Sequence, residues 1–402
     1  MTNPQNAPGA PSMASDPRVW ALLLAATLTI MSNATITPAL PGLQAMFPDT
    51  PNAALLTRLL VTAPSLLVAL VAPFAGLASD RIGRRPLLIG GVLLYAVSGT
   101  IGAVLPTLEG IFASRLVLGI AVALIMTTQS ALIGDYFKGP ARGRFMGWQM
   151  AATNAGGFVF IAMAGWLAGI SPRLPFLIYA LGFLYLPILW RALPEPEKSK
   201  AGLAGSITEE RVSDWPRLVA MIGVLAGVTL TLFYIIPTQI PFFLVSIGHP
   251  EPAASASAMA MLTIAGGVSA FSFAAVRGRL GAGLTPALGY LFIASGFGVL
   301  SASTTLTMTM AASTLIGFGL GYVMPTFIVS ALNAAPERRR GAVSGAITMA
   351  LFLGQFMSPL VVQPVIDRFG YSTTFQLAAV LLVAGAIIVG LILKEKRSAV
   401  GA

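Results

Sequence analysis

Long apolar runs recur along almost the whole chain, separated by short breaks rich in Arg, Lys, Pro and Gly. Twelve runs can be delimited, near 19–42, 57–79, 86–105, 109–133, 145–169, 175–193, 217–247, 255–276, 284–304, 306–332, 342–366 and 372–393. An α-helix needs about 20 apolar residues to cross a hydrocarbon core. Lipid offers no partner to bare backbone groups, so each run is predicted to be a transmembrane helix. The narrowest separation lies between spans nine and ten, where Ser301 to Thr307 is polar but uncharged.

The breaks carry a sign. An even number of spans puts both termini on one side, and 20 of the 24 Lys and Arg residues fall in segments on that side. The exceptions are Arg58, Arg115, Arg173 and Arg368. Positive charge is retained in the cytoplasm, so both termini are expected there, in a bacterial inner membrane. The longest polar break, 194–216, divides the chain into bundles of six spans at 19–193 and 217–393, flanked by tails 1–18 and 394–402. The first 18 residues lack the basic region of a cleaved signal peptide, so the first run reads as a retained anchor.

The two halves repeat one another. A shift of 198 residues carries Arg81 onto Arg279, Gly83 onto Gly281, Gly119 onto Gly317, Gly147 onto Gly345 and Asp135 onto Asn333. In spans one and seven, Pro38 and Pro41 meet Pro237 and Pro241 after slips of one and two residues. One offset held across several loops and helices indicates duplication, as in many transporters. The expected architecture is an all-α membrane protein of twelve transmembrane helices in two pseudo-symmetric six-helix bundles.

Composition sharpens this picture. Only 9% of residues are charged and 56% are hydrophobic, with a mean hydropathy of +0.84, whereas a soluble domain averages about 25% charged residues. The net charge of +10 sits in short loops and forms no continuous basic face, so no nucleic-acid partner is expected. With no cysteine and a single histidine, the chain offers no thiolate, metal site or cofactor ligand set. An intramembrane enzyme would need a cluster of His, Cys or carboxylate inside the membrane, and the sequence supplies none.

After span two the chain reads Gly76-Leu-Ala-Ser-Asp80-Arg81-Ile-Gly83-Arg84-Arg85-Pro86-Leu-Leu. Gly76 would let two helices approach, and Gly83 would permit a turn too tight for a side chain. Asp80 can accept from free N–H groups at a neighbouring helix start, and Arg81 can pair with Asp135 at the end of span four. Such a cluster would act as a conformational latch; its C-terminal copy has Gly278 in place of Asp80. This loop resembles the signature G-x-x-x-D-R-x-G-R-R-x-x-L of the major facilitator superfamily. Arg115 and Gly119 in span four resemble the R-x-x-x-G pair of its exporters. A charge so far inside apolar sequence is costly and marks function, unless Arg115 snorkels to the outer headgroups. The antiporter signature of span five is incomplete: Gly156, Gly157 and Gly165 are present without a proline.

All 14 acidic residues lie outside the span centres. A fixed organic cation bound in mid-membrane needs a carboxylate counter-charge, so the expected cargo is neutral, weakly basic and lipophilic, or anionic. Proton coupling is left to a marginal carboxylate such as Glu109, Asp135 or Asp80, or to His249. The resemblance implies that spans one, four, seven and ten line a central path, with two, five, eight and eleven beside it. On that basis Asn33, Gln129, Asn154, Tyr234, Gln239, Tyr322 and Gln355 are candidate cavity groups, with Met126 and Phe233 as apolar wall. The alternative for each is interhelical hydrogen bonding, at about 0.6 kcal/mol per contact. The resemblance implies a secondary transporter working by alternating access, with small-molecule cargo, the lipid bilayer as surroundings and protons as the coupling ion. Export of lipophilic compounds by a monomer is the leading expectation; uptake of a small metabolite or organic anion is the second.

Overall fold

The computed structural model describes residues 13–196, 215–336 and 339–393, apart from the side chains of Ala34 and Asp80. Most of the expected polar linker and tails therefore lies outside the described residues. The chain begins with α1 (Pro17–Met46), interrupted by a 3-10 turn at Thr37–Ala39, and α2 (Ala53–Ile82). Then come α3 (Arg84–Ala103), α4 (Leu108–Tyr136), α5 (Gly139–Ile170), α6 (Leu174–Ala192) and α7 (Trp215–Ser246). Asp16 caps α1, and its hydrogen bonds with Arg18 hold its carboxyl below the ordinary range.

Two later helices bend sharply at a glycine. Pro252–Ser301 does so at Gly281 (φ 78°, ψ −176°), and Arg340–Ile392 at Gly370 (φ 77°, ψ 173°). Those backbone angles suit a residue without Cβ. Among the described residues, ten continuous helices are thus long and apolar enough to span a membrane. Dividing the two bent ones gives twelve segments: α8 (252–280) and α9 (282–301), then α10 (Leu306–Ala334), then α11 (340–369) and α12 (371–392). This is consistent with the expected count. The break between α9 and α10 falls within the uncharged stretch identified from sequence.

The 198-residue offset reappears in three dimensions. A Cβ on Gly119 would overlap the Pro64 carbonyl oxygen and lie 2.8 Å from Pro64 Cα; on Gly317 it would overlap the Leu262 oxygen and lie 2.9 Å from Leu262 Cα. Gly91 abuts Ala121, Leu124 and Ile125, while Gly289 abuts Gly319, Tyr322 and Val323. Thr107 caps α4 by accepting from the Gly110 N–H at 3.1 Å, and Thr305 caps α10 by accepting from Met308 N–H at 3.3 Å. Each pair obeys the same shift. Small residues let helix backbones meet closely where no water drives them together, so the α2–α4 and α8–α10 crossings are built alike.

Between the halves, α2 packs on α11 and α5 on α8. At the end away from the termini this seam is tight: a Cβ on Gly165 would overlap that of Ala256 and lie 3.5 Å from the Pro252 oxygen. At the end bearing the termini α5 and α8 bury little surface. Between 139 and 156 on α5 only Phe145 is buried, and between 270 and 281 on α8 no residue is. With so little buried surface there, α5 and α8 do not seal against one another at that end, and the interior opens toward it.

Candidate functional site

A cavity of about 400 Å³ lies between the halves, lined by α1, α2, α4, α5, α7, α8, α10 and α11. Of the sequence-derived candidates, Asn33, Met126, Asn154, Phe233, Tyr234 and Gln355 line it. Two hydrogen bonds span it from half to half: Asn33 Nδ2 donates to Tyr234 Oη at 3.2 Å, and Ser65 Oγ donates to Gln355 Oε1 at 2.7 Å. No Asp, Glu, Lys, Arg or His is among the lining residues. The remaining polar lining is hydroxyls, at Thr29, Ser32, Thr37, Thr153 and Thr263. Several turn inward on their own helix, as Thr263 does to the Met259 carbonyl at 3.0 Å. Such self-satisfied hydroxyls soften an apolar wall at little desolvation cost.

Other candidates stand elsewhere. Gln129 donates to the Leu22 carbonyl at 2.8 Å, tying α4 to α1. Tyr322 shares a 2.8 Å hydrogen bond with Ser272, tying α10 to α8. Gln239 is fully buried at the end away from the termini, accepting from Arg58. All three bond between helices, and none of them lines the cavity. Glu109 is exposed in the first turn of α4, well apart from the cavity lining. Gly119 acts through the backbone crossing described above.

Arg115 does not snorkel. It is 0% exposed, held inside the first bundle by three elements. Its Nε donates to the Leu60 carbonyl of α2 at 3.2 Å. Its Nη2 donates to the Ser32 carbonyl of α1 and to the Tyr179 hydroxyl of α6, the latter at 2.9 Å. The guanidinium carbon also sits 4.9 Å from the Tyr179 ring centroid. All these acceptors are neutral, and Nη1 is buried without a hydrogen-bond partner. Arg115 therefore stands one residue behind the cavity wall, since Ser32 lines the cavity.

The signature loop folds differently from its sequence-level reading. Asp135 pairs with Arg84, not with Arg81, which is exposed. Arg84 opens α3 just past the turn, which brings its side chain over the end of α4, where it also reaches the Ala131 carbonyl at 3.2 Å. Arg81 precedes the turn and faces outward. The free N–H groups at the start of α3 are taken by Glu195: its two carboxylate oxygens accept from Arg84 N at 2.7 Å and Arg85 N at 2.8 Å. Arg85 adds a hydrogen bond to the Trp190 carbonyl at 2.6 Å and stacks on that indole at 4.7 Å. A carboxylate at a helix N-terminus meets both unpaired donors and the positive end of the helix dipole. Asp80 occupies the last turn of α2, and its side chain lies outside the described residues. Gly83 takes φ 111°, as the tight turn requires. Gly76 marks no close crossing: an added Cβ would meet only Thr127 Cγ2 at an ordinary 3.7 Å. In the second half Arg277 lies 6.0 Å from the Phe273 ring centroid, and its Nη1 is buried without a partner.

The chain belongs to the Major Facilitator Superfamily, which it matches over residues 22–359. It is a membrane transport protein and not an enzyme. It is 29% identical over 353 residues to the tetracycline resistance protein, class G, of Vibrio anguillarum, covering 84% of this chain and 87% of that protein. To multidrug resistance protein 1 of Bacillus subtilis (strain 168) it is 34% identical over 182 residues, 43% of this chain and just under half, 46%, of that relative. The crystal structure of a D-xylose-proton symporter superposes with a TM-score of 0.76 at 16% identity, over 95% of this chain and 98% of that one. This last likeness speaks for the fold alone.

Proposed function

We propose that the protein is a secondary transporter that exports lipophilic, neutral or weakly basic small molecules by alternating access, coupled to protons. The observation that carries this reading is the uncharged cavity, in which a few amides, hydroxyls and one phenol interrupt an apolar wall. Such a wall gains from desolvating apolar cargo, and its scattered hydrogen-bonding groups tolerate varied polar substituents. Resistance proteins among the relatives support efflux as the direction. Charge asymmetry supports an orientation with both termini in the cytoplasm of a bacterial inner membrane, and hence an inward-facing state closed on the outer side. The halves would pivot as 19–193 and 217–393, joined through 194–216, in a protein acting as a monomer.

Growth-inhibition panels of dyes and antibiotics, with and without the gene, test cargo class. Accumulation of a drug in acid-loaded inverted vesicles supports proton-coupled export, and flux in the opposite sense under the same gradient refutes it. The absent proline in span five keeps uptake of a small metabolite or organic anion as the second reading, which that flux direction decides. Cargo with fixed positive charge has no carboxylate to meet it in the cavity. A quaternary ammonium dye is therefore expected to show no saturable transport; tight, saturable uptake of it into vesicles would count against the cargo class.

The Glu195 cap ties the end of α6 to the α2–α3 turn. Glu195→Gln keeps the acceptor geometry but loses the charge, at a cost of about 1 kcal/mol. Transport is expected to slow about fivefold, by that magnitude, with membrane insertion unchanged. An unaltered rate in proteoliposomes would show the cap to be dispensable.

A further inference from the structure

At the end away from the termini a second polar cluster crosses between the halves. Arg58 of α2 is only 5% exposed. Its Nε donates to Gln239 Oε1 of α7 at 2.9 Å, and its Nη1 donates to Gln44 Oε1 at 3.1 Å and the Ala54 carbonyl at 2.6 Å. The guanidinium carbon lies 3.8 Å from the Phe242 ring centroid. Gln239 Nε2 then donates to Gln363 Oε1 of α11 at 3.0 Å, and Gln363 Nε2 donates to Asp367 Oδ1 at 2.7 Å. A buried cation on one half thus reaches an exposed acid on the other through two buried amides. Neither Arg58, Gln363 nor Asp367 lines the central cavity.

We propose that Arg58, Gln239, Gln363 and Asp367 form the releasable gate that shuts the cavity at the end away from the termini. The inference rests on the alternating-access reading and adds the residues that set how readily that end opens. The chemistry explains the form of the cluster. A guanidinium bonded directly to a buried carboxylate across the seam is very costly to separate. An amide acceptor gives a weaker, charge-assisted hydrogen bond, and the acid is held one amide further away. The clasp is strong enough to exclude water in this state and weak enough to part in each cycle. Gln239 is therefore a positioning residue of the gate, not a cargo contact.

The chain contains no cysteine, so Met126→Cys places a single reporter thiol in the cavity. Its rate of labelling by a membrane-impermeant maleimide, added to oriented proteoliposomes on the side away from the termini, reads opening of that end. Arg58→Met in this background is expected to raise the rate about tenfold, the worth of one charge-assisted hydrogen bond. Gln239→Glu, which makes the clasp an ion pair, is expected to lower it below the parent rate. Opposite shifts from these two substitutions support the gate, whereas loose packing alone would move both upward. Parent rates in both variants, or increases in both, overturn it. Should Arg58→Met fail to fold, Gln239→Glu decides alone: a lowered rate supports the gate and any other result overturns it. The readout needs no cargo, so these shifts combined with absence of drug transport would refute only the proposed cargo.

Discussion

Arg115→Met is expected to leave a folded, inserted protein whose transport falls about tenfold or more. The side chain joins α4 to the carbonyls of Leu60 and Ser32 and to the Tyr179 hydroxyl, so one group fixes the spacing of α1, α2, α4 and α6. Hydrogen bonds from a charged donor contribute about 1.5–3 kcal/mol each, and losing even one corresponds to about a tenfold change in an equilibrium between packed states. Stability is expected to fall as well, because the buried Leu60 and Ser32 carbonyls and the Tyr179 hydroxyl lose their donor. Relief of the cation's own desolvation, with one nitrogen unpartnered, offsets only part of that loss. Thermal unfolding in detergent should occur below the parent temperature. Arg115→Lys keeps the charge without the fork that reaches several acceptors, and an intermediate rate is expected. Transport at the parent rate in Arg115→Met would show that the tie behind Ser32 does not govern the cavity wall.

Gly119→Ala and Gly317→Ala are expected to be severely destabilising, and to similar extents. In each case the new methyl group falls on a backbone carbonyl of the crossing helix, Pro64 or Leu262, which no rotamer change relieves. The helices must separate, with a cost on the order of 3 kcal/mol or more. Folded yield after detergent extraction and the unfolding temperature should both drop. Gly90→Ala is the matched control, because nothing lies within 4 Å of its added methyl group. Normal stability in either crossing variant would contradict the close approach on which the paired architecture depends.

The architecture was legible because hydrocarbon enforces it: run length, charge asymmetry and the 198-residue offset all act on whole segments. The cavity was legible only where polarity is conspicuous. Asn33, Asn154, Tyr234 and Gln355 stand out against apolar neighbours, and the structure brings them together. Gln129, Gln239 and Tyr322 look the same in sequence yet bond to neighbouring helices outside the cavity lining, because which residues reach the cavity is decided by helix packing and by depth along each helix. Thr29, Thr153 and Thr263 escaped notice since threonine in an apolar helix more often bonds its own backbone. In the signature loop, the exchange of Arg81 for Arg84 follows from the Gly83 turn, which reorients everything beyond it. Glu195 left no local trace, being more than a hundred residues from the helix it caps.

Duplication copied the joints but not the fastening. Both bundles have their glycine crossings and threonine caps at matching positions, yet among the described residues the brace of Arg84, Asp135 and Glu195 is found in the first alone, and Asn333 stands where a second acid would be needed. On the alternating-access proposal, the first six helices would form the stiffer leaf of the hinge at the end bearing the termini, and the last six the more pliant one.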